Sequence, residues 1–221
     1  MRRRLGRLYA LARGALGPQG WWPGRTPYEV MVGAILTQNT AWANVEKAVR
    51  NLCRARALTP RALLSLGTSR LSIHIRPSGY FNQKAARLRL FSRWYLRRFS
   101  GSPGRMGRED PGNLREELLS LSGIGPETAD SILLYALGHP VFVVDAYTRR
   151  IGARHGLFRG DEPYEWIRAL FERALPGDAA LLNDYHAQIV AVGKGYCRKR
   201  APHCDACPLR PDLPGGRPRP L

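Results

Sequence analysis

The sequence is poor in the features that mark membrane or secreted proteins. No apolar run approaches the roughly 18 residues of a bilayer span, so a membrane protein is not expected. Cysteine is scarce: Cys53 stands alone, and Cys197, Cys204 and Cys207 cluster near the C-terminus. That is no disulfide framework, and it predicts a cytoplasmic setting, nucleoid-associated in a prokaryote. Acidic residues are few, 17 against 35 lysines and arginines, for a net charge of +18. An excess of that size predicts a polyanionic partner, nucleic acid before a membrane surface. Lysine is rare within that excess: only Lys47, Lys84, Lys194 and Lys199 occur. Genomic base composition favours arginine in some organisms, so the arginine bias is not read as arginine-specific recognition. There is no internal repeat and little strand propensity, which leaves an all-α fold. The opening Met1-Arg2-Arg3-Arg4 is basic, but Arg7 and Arg13 interrupt the apolar residues after it. It reads as a surface helix rather than a signal peptide.

What is present is a succession of helices with marked ends. Leu5, Leu8, Leu11, Ala12 and Leu16 place one face on a helix over residues 3–16. Pro27 to Leu36 is an apolar helix, and Ala41 to Arg54 resumes after the polar step Thr37-Gln38-Asn39-Thr40, with Thr40 as a cap. Thr59-Pro60 starts a short helix to Leu66, and a basic helix runs to about Phe99. Residues 100–112 read as a loop. Further helices cover residues 163–175 and 179–192, and the Pro-rich residues 208–221 read as a flexible tail.

The chain is organised around Leu121 to Asp130. A helix ends near Ser120, Gly123-Ile124-Gly125 makes a tight turn, and Pro126 suits the first position of the next helix. Such a hairpin is either an ordinary connection or a phosphate site that offers backbone N–H groups beside a helix N-terminus. Val141 to Val144 then leads to Asp145, either an N-cap or a carboxylate at the mouth of a pocket. Trp21-Trp22-Pro23 supplies either core plugs or an aromatic wall for a base.

Hairpin, apolar segment and aspartate in this order resemble the helix-hairpin-helix, Gly/Pro-Asp (HhH-GPD) superfamily of DNA glycosylases, the relatives of endonuclease III. The resemblance runs from about Trp21 to Cys207. Trp21-Trp22-Pro23, Leu36 to Thr40, Arg76 to Ala85 and Gly123 to Asp130 together are similar to the 3-methyladenine DNA glycosylases of the endonuclease III type. The resemblance implies a two-lobed fold with a DNA-binding cleft. Residues 27–140 would form a six-helix domain, and 1–26 plus 141–207 a second helical domain with a C-terminal cysteine loop, with Asp145 in the cleft. It implies action on double-stranded DNA that carries damaged bases, with Asp145 catalytic; nothing in the sequence suggests more than a monomer. Gln38, with Asn39 beside it, would fill the gap left by an extruded nucleotide. Tyr80 would wedge between bases, Asn82 and Lys84 would lie against DNA, and Gly123 and Gly125 would hold phosphate. Trp21, Trp22, Pro23 and Trp42 would line the base pocket. Relatives carry a lysine after a His-Gly pair on the last helix; His186-Ala187-Gln188 stands here, which puts Gln188 in that role.

Bifunctional relatives place a lysine in the hairpin where this chain has Glu127. A carboxylate cannot form a Schiff base, so hydrolysis without strand cleavage is expected. A glycosylase for mispaired or deaminated bases (thymine, uracil or adenine) and a non-catalytic DNA-binding protein are the alternatives. Cys197, Cys204 and Cys207 follow the spacing of the family's [4Fe-4S] loop, but its fourth position is Leu213. A cluster completed by His203, Asp205 or Asp212, a zinc site with His203, or a decayed site all remain open.

Overall fold

The computed structural model describes residues 1–220. Its helices are α1 (Arg2–Leu16), α2 (Pro27–Leu36), α3 (Trp42–Arg54), α4 (Pro60–Ser65), α5 (Thr68–Ile75), α6 (Phe81–Phe99), α7 (Pro103–Met106), α8 (Pro111–Ser120), α9 (Pro126–Ser131), α10 (Ala146–Arg154), α11 (Tyr164–Ala174) and α12 (Ala179–Gly195). No strand occurs among the described residues. A π-helical stretch, Ile132–Ala136, continues α9.

Helix starts follow from local chemistry. Thr26, Thr59, Ser102 and Asp110 each accept a backbone N–H from the first turn of the helix they precede, with proline at its start. The cap satisfies a donor that the helix cannot, and the proline gives up a donor that had no partner.

The chain forms two compact units, Met1–Trp21 with Pro140–Leu221, and Trp22–His139. In the second unit α2 packs against α3, α6, α9 and the π stretch. Nearly its whole length is buried, as expected of a helix that is apolar on all sides. Tyr28 of α2 stacks on Tyr95, which stacks on Phe91; Trp94 and Phe99 extend the cluster at steeper angles, and the Tyr28 hydroxyl meets Ser92 Oγ at 2.7 Å. In the first unit α12 packs on α1 and α10. Phe142 lies flat on Phe171 with ring centroids 4.0 Å apart.

Several sequence expectations need correction. Six helices were expected in residues 27–140; α5 and α7 are additional. No side chain caps α5, so nothing local announced it, whereas Ser102 and Pro103 start α7 inside a stretch read as loop. Thr40 does not cap α3. Its hydroxyl donates to the Ser78 carbonyl, and Ala41 is the capping residue. α12 runs through Gly193 to Gly195. Gly193 is a packing site rather than a helix breaker, because a Cβ there would stand 2.2 Å from the Tyr147 ring.

The tail expected to fray is docked within the first unit. Leu209 is buried. Asp212 takes paired hydrogen bonds from the Arg4 guanidinium and meets His155 Nδ1 at 3.1 Å. Arg219 N–H donates to the Arg154 carbonyl at 2.9 Å.

Candidate functional site

In the second unit, the hairpin, the Thr37–Thr40 turn and the Arg76–Tyr80 loop are bound into one assembly. Gly123 has φ +85°, and a Cβ there would collide with the Arg87 side chain at 2.3 Å. Only glycine suits both demands. Gly125 has open space where its Cβ would be, leaving its backbone approachable. Gln38 Nε2 donates to the Gly123 carbonyl at 2.9 Å and to Thr128 Oγ1 at 3.0 Å. Arg87 Nη1 donates back to Gln38 Oε1. Gln38 is thereby fixed to the hairpin. Asn39 and Tyr80 both adopt left-handed backbone conformations, with φ of 51° and 44°. These are costly for residues with a side chain. Tyr80 holds its ring out at 64% exposure, and Asn82 is exposed beside it.

Lys84 does not lie where the sequence placed it. It is 1% exposed, which rules out direct contact with DNA. Its ammonium donates to the Leu36 carbonyl at 2.9 Å, Thr40 Oγ1 at 3.0 Å and the Ser78 carbonyl at 2.7 Å. Three donors meet three acceptors, and the two loops that carry Gln38 and Tyr80 are clipped together. Burial, and then the nearby Arg87 charge, lower its pKa to about 8.

Trp22, Pro23 and Trp42 line a pocket of about 250 Å³ in this unit, with Gly33, Glu29 and Glu46 among its other walls. The Trp22 and Trp42 rings stand nearly perpendicular, at 87°, with centroids 4.9 Å apart.

In the first unit Asp145 caps α10. Its Oδ1 accepts the Thr148 N–H at 2.7 Å and the Thr148 hydroxyl at 3.0 Å. Its Oδ2 lies 3.7 Å from His186 Nε2, and the carboxylate side chain is 13% exposed. The N-cap and pocket-carboxylate readings are therefore compatible: one oxygen holds the helix and the other stays outside the cap. Burial works to raise the Asp145 pKa. The His186 ring, when protonated, and the two Thr148 donors outweigh it and hold the carboxyl below the usual range. The extended segment before Asp145 is anchored by side chains, since Phe142 N–H donates to Glu172 Oε1 at 2.9 Å and Val144 N–H to the Tyr164 hydroxyl at 3.3 Å.

Gln188 is buried and donates to the Gly17 carbonyl at 2.7 Å, so it ties α12 to the end of α1. The cation that α12 brings to Trp21 is Lys194, with Nζ 5.3 Å from the ring centroid. Sequence reasoning missed Lys194 by fixing on His186-Ala187-Gln188; the lysine after Gly193 was the available signal. It also missed His186 and Arg87, for which no local pattern speaks.

Cys197, Cys204 and Cys207 face one cavity with Leu213 and Arg154 on its walls. The cavity measures about 10 Å³, room for one water at most. Arg154 Nη1 lies 3.2 Å from Cys197 Sγ, and Arg154 also donates to the carbonyls of Arg198 and Lys199. Asp212, a possible substitute ligand, is committed to Arg4 and His155. No group of three or more histidine, cysteine or acidic side chains with metal-binding geometry occurs among the described residues. These residues do not fit a four-thiolate cluster. Arginine hydrogen bonds hold the loop that a cluster would otherwise brace. Purified protein is expected to lack the visible absorbance of an iron–sulfur cluster and to keep its melting temperature through chelator treatment. Four irons per chain, with melting lowered by their removal, would contradict this.

Residues 32–176 match the family described as HhH-GPD superfamily base excision DNA repair protein. A Methanocaldococcus jannaschii protein assigned as a DNA repair glycosylase is 44% identical over 206 residues, 92% of this chain and 93% of that one. The structure of H. pylori 3-methyladenine DNA glycosylase (MagIII) bound to 1,N6-ethenoadenine has a TM-score of 0.73 at 30% identity, over 87% of this chain and 96% of that one. A trapped endonuclease III–DNA covalent intermediate has a TM-score of 0.83 at 21% identity, over 98% of this chain and 97% of that one. The last likeness is one of fold.

Proposed function

Since the chain belongs to the HhH-GPD superfamily of base excision DNA repair proteins and is a DNA glycosylase of that family, we propose that it removes alkylated purines of the 3-methyladenine type by hydrolysis alone. The observation that carries the substrate reading is the Trp22–Trp42 pocket. An aromatic lining suits a cationic base, a contact worth about 0.5–2 kcal/mol. The likeness to a 3-methyladenine glycosylase supports the same reading.

The chemistry asks little beyond a carboxylate. The N-glycosidic bond breaks with its electron pair going to the base, and an alkylated purine that began as a cation leaves neutral. No acid is needed to protonate it. The sugar is left as an oxocarbenium ion, which Asp145 can stabilise electrostatically, or attack by water can be assisted by Asp145 accepting the proton. Water oxygen ends on the anomeric carbon, giving an abasic site.

Glu127 in the first turn of α9 supports action without strand cleavage, because it offers no amine where bifunctional relatives carry lysine. Lys84, the lysine closest in sequence to the hairpin, is buried and committed to three acceptors.

The test is base release from duplexes carrying 3-methyladenine, 7-methylguanine, hypoxanthine, uracil, G·T or A·8-oxoguanine, with strand breaks scored before and after hot alkali. Release of methylated purines, with breaks only after alkali, is the expected result. Release of uracil or thymine alone would discard the substrate reading. Borohydride trapping of a covalent enzyme–DNA adduct would discard the hydrolytic one, with Lys194 the first amine to replace.

A further inference from the structure

We infer that Glu46 and Glu29 tune the Trp22–Trp42 pocket to purines carrying a positive charge, so that charge as well as shape selects the base; this rests on the alkylated-purine reading above. The pocket is built from two helices and the segment before them. Gly33 on α2 lets Trp22 lie flat against the helix, since a Cβ there would come within 3.2 Å of the indole. Tyr135 also packs on Trp22, with ring centroids 5.2 Å apart. Trp42, at the start of α3, meets Trp22 edge to face.

One turn further along α3, Glu46 Oε1 accepts the Trp42 indole N–H at 2.8 Å. This bond has two consequences. The carboxylate draws the N–H dipole toward itself, which leaves more electron density on the ring and strengthens its attraction for a cation. It also spends the one donor that Trp42 has, so this wall has no N–H left for an acceptor on a neutral base. Glu29, in the first turn of α2, adds a second carboxylate to the lining, against one guanidinium from Arg50.

The local charge therefore runs against that of the chain. In a protein of net charge +18, two carboxylates on one aromatic pocket oppose the general attraction for a polyanion. A neutral purine could stack here but would gain nothing from them. A cationic purine gains from the aromatic wall and from both carboxylates. The volume of about 250 Å³ falls just under the roughly 300 Å³ at which drug-sized ligand sites begin, a scale that suits a single base.

The test is an NMR titration of the full chain with 7-methylguanosine in mildly acidic buffer, where its ring is cationic, and with guanosine as the neutral counterpart. The indole N–H resonances of Trp22 and Trp42 are the readout. 7-Methylguanosine should bind more tightly, and Glu46→Gln should weaken it by about fivefold while leaving guanosine unchanged. Glu29→Gln should act in the same direction, and Arg50→Gln should tighten the cation. Equal affinity for the two nucleosides, no shift with either, or unchanged binding in the Glu29→Gln/Glu46→Gln double variant would each overturn the inference. Should Glu46→Gln fail to fold, the wild-type comparison and Arg50→Gln still decide. Base release separates the two readings. Preference for the cationic nucleoside without release of alkylated purines leaves the pocket inference standing and removes the proposed function. Release with no charge preference does the reverse.

Discussion

Replacing Asp145 by asparagine is expected to reduce base release by about a thousandfold or more, the scale of losing a principal electrostatic contact in a transition state, while fold and DNA affinity persist. The separation is possible because the two carboxylate oxygens have different tasks. Oδ1 is the helix cap, bound by the Thr148 N–H and hydroxyl, and asparagine caps helices as well as aspartate does. What disappears is the charge. Melting temperature and affinity for a lesion-containing duplex should stay close to wild type, measured beside single-turnover base release. The pH profile gives a second check. The Asp145 pKa is held below the ordinary carboxylate range, so the reactive ionised form persists as pH falls and is lost only below about pH 4. An acid limb assigned to this group should therefore not appear between about pH 5 and 7. Comparable release by wild type and Asp145→Asn would remove Asp145 from the chemistry and return it to capping alone.

What the sequence disclosed was what local chemistry decides. Pro126 after two glycines, Asp145 before α10, and Thr59-Pro60 before α4 act within three or four residues, so their patterns are visible in the chain. What it concealed depends on distant partners. Asp212 anchors the C-terminal segment because Arg4 reaches it from 208 residues away, and proline content alone suggested a frayed end. The helix expected to end at residue 192 continues through Gly193, which is small because Tyr147 lies against it. Gln188 and Lys194 lie on one helix, and only the three-dimensional course of residues 17–21 shows which of them meets Trp21. The cysteine spacing was legible, but that Arg154 and Leu213 share the walls of the small cavity the thiols face was not. Lys84 is the instructive case. A lysine in a basic, DNA-facing motif reads as a phosphate contact, and the acceptors that claim it lie 6, 44 and 48 residues away in the chain.

That difference sets up the second large effect. Lys84→Met keeps the length of the side chain and removes its donors. Three acceptors lose a charged partner, each worth about 1.5–3 kcal/mol. Against this, the variant escapes the cost of burying the charge. A fall in pKa from an ordinary value of about 10.4 to about 8 sets that cost at roughly 3 kcal/mol. Hydrogen bonding wins, and the variant should lose about 2–5 kcal/mol of stability, or roughly 5–15 °C in melting temperature for a chain of this size. The pH dependence carries a definite sign. Because the folded state holds the Lys84 proton less tightly than the unfolded one, its burial cost is fully present below about pH 8 and is relieved as pH rises toward about 10.4. The stability lead of wild type over Lys84→Met should widen across that window. Base release should also fall at temperatures where the variant remains folded, since the loops bearing Gln38 and Tyr80 lose the clip between them. A lysine that merely contacted phosphate would behave otherwise: its loss would weaken DNA binding and shallow the salt dependence with melting almost unchanged. Thermal melts and salt titrations on the one variant separate the two outcomes, and a melting temperature within about 1 °C of wild type would refute the buried clip.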